Sequence, residues 1–324
     1  MRLIKSVGWR EIRRITYKEY PKMSVEDVDE LSISIESENG LHLKIVSIFD
    51  KKWAAEYTEK TSEIIVSGME IICSFLLGYY LQTPVFFWEN NKDDVIKAIH
   101  FHIDELFGKN AEYKLESRSY LPTFTQFIET ELGMEQNHDS SLINEYLSMM
   151  PVQKQVVVRY GSFLSLHPNH KFWNTQVLEI QFCFTRAPEV LQNFRGRIAC
   201  LTYGICNSSD IIRFLKRWKH EKAFPTLETF ALHIKWSSFE PEMIEEEIGI
   251  KNYPDTITLS NAKQSLPPEW SRYLFLRVFF DFEVPNYIVR DDGIIADLLI
   301  DETRMFFSVK KCTEKQMLEN GFIS

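Results

Sequence analysis

Residues 177–236 read VLEIQFCFTRAPEVLQNFRGRIACLTYGICNSSDIIRFLKRWKHEKAFPTLETFALHIKW and repeat one unit: an apolar run, a turn, an amphipathic run, another apolar run. That order predicts strands alternating with helices. The best-determined element is the helix opened by Ser208 or Ser209 ahead of Asp210. Its apolar residues Ile211, Ile212, Leu215 and Trp218 follow helical spacing. Arg213, Lys216, Arg217 and Lys219 fall mainly on the opposite side, and the later ones complement the negative end of the helix dipole. Pro225 blocks continuation, and Leu227 to Trp236 has the length and the β-branched and aromatic content of a strand.

Working outward, Ser140 to Met149 is expected to be a helix stopped by Pro151, with QVVVRY as the next strand. Strand centres near Val157, Glu179, Leu201, Phe230 and Ile257 are then separated by about 20 to 30 residues, the range of leucine-rich repeats. The strict leucine consensus is absent. The expectation is therefore an α/β fold: a degenerate, curved leucine-rich-repeat-like βα array with parallel strands on its concave side. VFFDFEV and NYIVRDDGIIADLLI should close it as antiparallel strands, with Asp292-Gly293 as their turn. Acidic residues from Glu240 to Glu247 fit an exposed helix start, where carboxylates suit the positive end of the dipole.

Toward the N-terminus, Leu31, Ile33 and Ile35 and then Leu41, Leu43 and Ile45 alternate with period two around Asn39-Gly40, a strong type I′ hairpin signal. Asn91 to Phe107 should be a helix capped by Asn91 or Asp93, with Val95, Ile99, Ile103 and Phe107 recurring. The most apolar stretch, Ile64 to Trp88, has the length of a membrane span. Glu70, Gly68, Gly78 and Pro84 interrupt it, so a buried strand-and-helix pair is expected, with Pro84 opening the strand VFFW. Two domains follow from this reading: residues 1–110 as a hairpin-and-helix region, and residues 111–324 as the βα array with its closing strands.

The phrase IIRFLKRW followed by FPTLETFAL resembles the signature of the F-box-associated domain type 2, found in a nematode-expanded group of F-box proteins. PVFFWENNKDDVIKAIHFHIDELF resembles the segment joining the F-box to that domain, and PNYIVRDDGIIADLLIDETRMFFSVKK is similar to its closing strand pair. The similarity is ordered from about Lys44 to Lys311. It implies a ubiquitin-ligase substrate receptor, in which an F-box grips the Skp-type adaptor of a cullin ligase and the associated domain captures a protein. No F-box is evident, and Met1 to Tyr20 resembles the basic, aromatic stretch that follows the box. A Skp-type adaptor is thus an expected partner only if an F-box is present; otherwise the chain reads as a box-less decoy or scaffold.

The formal charge is −9, from 46 acidic and 37 basic residues, which argues against a general nucleic-acid binder. Arg10, Arg13 and Arg14 are read as a solvated helix or strand face. The 24 phenylalanines should fill the core. Five scattered cysteines without a CxxC pair suit a reduced cytoplasmic or nuclear protein, and MRLIKSVGWREIRR lacks the apolar core of a secretory leader.

Three places in the chain carry residue types suited to chemistry. Asp291 and Asp292 precede Gly293 and fit turn residues better than a carboxylate pair. His100, His102 and Asp104 diverge on a helix and are poor metal ligands together. His167 and His170 fit an exposed loop. No GxSxG, P-loop or dinucleotide fingerprint occurs, and neither an enzymatic activity, a metal nor a cofactor is expected. Trp218 is expected in the core. The candidate contacts for an unknown target protein are Trp173, Trp236, Arg213 and Arg217.

Overall fold

The computed structural model describes residues 12–20, 30–37, 41–50, 61–77, 82–88, 91–107, 111–133, 140–161, 164–254 and 284–321. Asn39-Gly40, Gly78, Arg10, Ile257 and nearly all of VFFDFEV lie outside them. The protein is mixed α/β, and it forms two compact units, Met1–Gln153 and Lys154–Ser324.

In the first unit, β1 (Ile12–Tyr20), β2 (Glu30–Ser37), β3 (His42–Asp50), β4 (Ser62–Val66), β5 (Met69–Leu77), β6 (Gln82–Trp88), β7 (Glu112–Ser117) and β8 (Glu129–Leu132) lie in the order β8-β7-β1-β2-β3-β6-β5-β4. Helices α1 (Lys92–Phe107) and α2 (Ser140–Met149) accompany them. The boundary expected at residue 110 moves later for a reason local periodicity does not carry. β7 pairs in parallel with β1 and β8 with β7, so Tyr113, Leu115 and Phe127 join the core of Ile15, Tyr17, Ile33 and Ile99.

The hairpin of β2 and β3 is antiparallel, with Ile35 opposite Leu43 and Ile33 opposite Val46. A bulge places the additional residue on β3. It reverses the side-chain phase, so Val46 and Ile48 join the main core of this unit, while Ser47 and Phe49 are buried as well, Phe49 in a separate cluster with Val85 and Phe87. Ile64 to Trp88 departs from the expected strand and helix, because it folds as three antiparallel strands. Ser67 and Gly68, at φ +48° and +80°, reverse the chain between Val66 and Met69 as a hairpin turn of the primed kind. Pro84 lies within β6 opposite Phe75, and the parallel pairing of β6 with β3 starts only at Val85. Proline has no N–H to offer a ladder, so it sits where one flank is unpaired. No helix among the described residues is long and apolar enough to cross a membrane.

Glu19 pins this unit together. It is the penultimate residue of β1, its side chain is buried, and it accepts hydrogen bonds from the backbone N–H groups of Arg118 (2.9 Å), Ser119 (2.7 Å) and Tyr120 (3.1 Å) and from the Ser119 hydroxyl (2.6 Å). The Lys92 ammonium lies 3.5 Å away. Burial alone would push the carboxyl up. The hydrogen bonds from Ser119 and Arg118 and the charge of Lys92 outweigh it, holding Glu19 below the usual range. At the other end of the strand Arg14 is paired with Glu36 and Glu129, so this basic residue ties strands together.

In the second unit, β9 (Gln155–Val158), β10 (Val177–Ile180), β11 (Ile198–Gly204) and β12 (Thr229–Ile234) run parallel in sequence order. β16 (Arg304–Thr313) then pairs antiparallel with β12, followed by β15 (Ile294–Ile300), β14 (Asn286–Val289) and β13 (Lys251–Asn252). Val156, Leu178, Ala199, Phe230 and Phe307 stand in one row across five strands, and Val158, Ile180, Leu201, Leu232 and Met305 in the next. All ten are buried. Helices α3 (Ala187–Asn193), α4 (Ser208–His220) and α5 (Pro241–Ile248) supply further buried residues: Val190, Leu191, Phe214, Leu215, Trp218 and Ile244. Phe214 meets Phe230 and Phe307 at ring-centre distances of 5.2 and 5.5 Å. The opposite face carries a smaller cluster of Ile198, Cys200, Ala231, Val284 and Phe306. Burial on both faces is why these strands read as continuous apolar runs.

Details of the helices differ from expectation. Asn207 caps α4 in a reciprocal capping box with Asp210, one residue before Ser208. Phe214 is buried, whereas Ile212 is only half-buried. In α5 the carboxylates of Glu245 to Glu247 crowd the last turn, where the dipole disfavours them. Lys216 compensates by pairing with Glu247, and the Lys219 ammonium bonds the Ile248 carbonyl at 2.6 Å. Asp291, Asp292 and Gly293 form the turn between β14 and β15, with Gly293 at φ +87°. A short helix, α6 (Glu314–Glu319), follows β16.

Glu19→Gln should destabilise the protein by about 2–4 kcal/mol, since it uncompensates Lys92 and weakens several bonds to buried donors. Because the folded carboxyl titrates below its unfolded value of about 4.3, its contribution is present above that pH and disappears as pH falls through the folded value. Urea midpoints at neutral and acid pH would show this. A variant as stable as wild type, or one with the same acid loss, contradicts it.

Candidate functional site

The carboxyl ends of the parallel strands share an unusual feature. Phe182, Phe184, Tyr203 and Trp236 follow or end β10, β11 and β12, and all four adopt left-handed backbone, at φ +50°, +42°, +54° and +68°. Only glycine occupies that region without a Cβ clash, so each of these aromatics costs about 1 kcal/mol or more.

Bulges produce the pattern. Ile180 is opposite Leu201, but the next bridge joins Phe184 to Gly204, so one strand advances a residue further than its neighbour. The same occurs between β11 and β12, where Leu201 faces Leu232 but Gly204 faces Ile234. Phe182 and Tyr203 lie inside these two irregular steps. Bulges in parallel pairs are rare and re-aim side chains. Here they stack them: Phe182 lies 4.6 Å from Tyr203 with planes 6° apart, and 5.5 Å from Tyr160 at 17°. Phe184 stacks on Trp236 at 5.5 Å and 19°. The Lys235 ammonium sits 5.1 Å from the centre of the Tyr203 ring and 5.0 Å from that of Trp236. Gly161, next to Tyr160, packs directly on β10: a Cβ there would fall 2.1 Å from Ile180 Cγ2.

The result is a ledge of ring edges running across four strands. Tyr160, Phe182, Phe184 and Tyr203 are half-buried, and Trp236 is 63 % exposed. The rings stack on one another and Lys235 lies over Tyr203 and Trp236, so both faces of Phe182 and one face each of Tyr160, Phe184, Tyr203 and Trp236 are covered. His233 stands edge-on to Tyr203 at 5.6 Å. Burial, and then the nearby Arg304, hold its imidazole below the ordinary value and therefore neutral at pH 7.

The four candidate contacts divide. Trp236 belongs to the ledge. Trp173 does not reach the surface: it is 1 % exposed in the 3-10 turn Lys171–Asn174, with its indole N–H on the His167 carbonyl at 2.9 Å. The turn is held by His170, whose Nδ1 accepts from the Phe172 N–H, and this folds the loop so that the indole points inward. Arg213 and Arg217 line a separate groove of about 520 Å³ with Ile212, Met243 and Glu247. Arg217 serves the fold there, bonding the Gln192 carbonyl at 2.9 Å and covering the Phe224 ring. Arg213 has no ion-pair partner among the described residues.

Other titratable groups are built into packing. His100 is buried against Phe124, with Nδ1 on the Tyr17 hydroxyl (2.9 Å) and Nε2 on Gln126 Oε1 (3.0 Å). Asp104 accepts from Tyr113, and His102 is exposed. Cys73, Cys183, Cys200 and Cys206 are buried free thiols, and burial pushes Cys183 up to about 12. Such thiols stay protonated and unreactive. His220 holds Asp291 at 3.1 Å across the turn.

Tyr160, Phe182, Phe184, Tyr203 and Lys235 were not among the candidates read from sequence. The available signal was the recurrence of an aromatic two to four residues after each apolar run, in VVVRY, EIQFCF, CLTYG and LHIKW.

Replacing Trp236 separates backbone strain from ring contact. Trp236→Gly and Trp236→Ala lose the same ring, but only glycine relaxes the left-handed backbone. The glycine variant should therefore be more stable than the alanine variant by about 1 kcal/mol. Equal urea midpoints, or a more stable alanine variant, would refute the strain. Compared with known proteins, the chain matches no family model, no curated protein and no solved structure.

Proposed function

We propose that this protein is a non-catalytic recognition module, similar to the substrate-binding part of the F-box receptors of cullin ubiquitin ligases, that captures a protein on the aromatic ledge of its second unit. The observation carrying this reading is the row of strained, stacked aromatics at the carboxyl ends of parallel strands. In open α/β sheets ligands bind at that edge. Left-handed aromatics persist only where a surrounding structure holds them, and such strain clusters at functional sites.

The parallel run β9 to β12, with the 3-10 turn Lys171–Asn174, α3 and α4 between successive strands, supports reading this unit as a degenerate leucine-rich-repeat-like array closed by antiparallel strands. Neighbouring repeats then bury each other's apolar sides and leave loops at one edge for specificity. The chemistry of the ledge favours holding over bond-making. Its polar groups are phenol, indole and ammonium donors beside a neutral imidazole, and the most perturbed thiols lie in the core.

Purification of the full chain with a Skp-type adaptor tests ligase recruitment: a stable complex is expected for a receptor, whereas its absence would make the chain a decoy or scaffold. Proximity labelling of wild type against Trp236→Gly tests recognition itself. Partner labelling should fall about tenfold in the variant, as for loss of an interface tryptophan worth about 1.4 kcal/mol or more. An unchanged partner set would sink the recognition reading.

A further inference from the structure

From the ledge geometry we infer the chemical class of its occupant: an acidic segment of a partner protein, bound in extended form across the ring edges, with a carboxylate on Lys235. This inference rests on the recognition reading above and adds the identity of the ligand. Four strand ends carry the ledge at neighbour spacings of about 4.8 Å, so it is about 14 Å long. An extended chain covers that distance with about four or five residues.

Charge selects the sign. Lys235 is exposed and makes no ion pair among the described residues, whereas its neighbour Arg304 is neutralised by Asp301 at 2.7 Å. Lys235 instead rests over two π-faces, so its positive charge remains available at the end of the row. Where faces are stacked, ring edges remain for contact, and they carry the positive part of the aromatic quadrupole. Tyr160 and Trp236 add a hydroxyl and an indole donor. Each of these groups complements carboxylates and the backbone carbonyls of an extended peptide.

Single-stranded nucleic acid is the competing anionic class, and ring geometry disfavours it. Base stacking needs open aromatic faces, but Phe182 covers one face of Tyr203 while Lys235 lies over the ring, and Phe184 covers Trp236. Lys235 alone also falls short of the basic groove needed to follow a phosphate backbone.

Selection of short random peptides displayed on phage against the immobilised full chain tests the inference. The enriched pool should be rich in Asp and Glu relative to the input. Lys235→Glu should weaken those peptides about five- to tenfold and shift a fresh selection toward Lys and Arg, and Trp236→Gly should abolish enrichment. A pool of unchanged or basic composition, or an acidic pool indifferent to Lys235→Glu, overturns the inference. Displacement of the selected peptides by a short oligothymidine overturns it in favour of nucleic acid. If no peptide is enriched while partner labelling still depends on Trp236, this inference alone fails; if labelling is indifferent to Trp236, the recognition reading fails with it.

Discussion

Mutual burial between parallel strands and the helices that connect them is the constraint on which the second unit depends. A single strand such as Val177–Ile180 is too short to hide its own apolar residues. Only when Leu178, Ala199 and Phe230 come into register, with Phe214, Leu215 and Trp218 laid over the same sheet, does each residue lose contact with water. Burial of a large side chain contributes about 1.5–3 kcal/mol, and the register that makes it possible also sets where the strands end. The ledge of aromatics is thus a consequence of core packing: rows of buried residues fix the strands in parallel, and bulges beyond the last row turn Phe182 and Tyr203 into a stack.

The first unit solves a different problem. Its sheet mixes parallel and antiparallel neighbours, and β1 must receive β2 on one side and β7 on the other. A buried carboxylate at the end of β1 captures three consecutive backbone N–H groups of the loop after β7. Neither an apolar residue nor an unpaired acid could do this, since the N–H groups would be stranded in the core or the charge left without compensation. Polar chemistry here defines a register that apolar packing alone would leave open to slippage.

Strain and stability work against each other at the ledge. Left-handed backbone at four aromatic residues raises the energy of the folded state, while stacking and the packing of Gly161 against Ile180 return part of it. Glycine at Trp236 would relax the backbone, yet it would supply no ring. Retention of bulky aromatics in such backbone is the physical argument behind the binding role proposed for this edge.

Several elements were legible in the amino-acid sequence alone because their determinants are local. The apolar spacing of α1 and α4, the Asn91 cap of α1, the period-two alternation of β2 and β3, and the continuous apolar runs of β9 to β12 each specify an element from neighbours within a few residues. Trp218 in the core and Trp236 just beyond a strand end followed from the same patterns. Tertiary structure decided what depends on distant pairing: β1, β7 and β8 as adjoining strands, three strands where Ile64 to Trp88 suggested a strand and a helix, and Trp173 turned inward onto the His167 carbonyl. It also decided the site. Tyr160, Phe182 and Tyr203 lie about twenty residues apart in the chain, and only lateral strand register together with two bulges brings their rings within stacking distance.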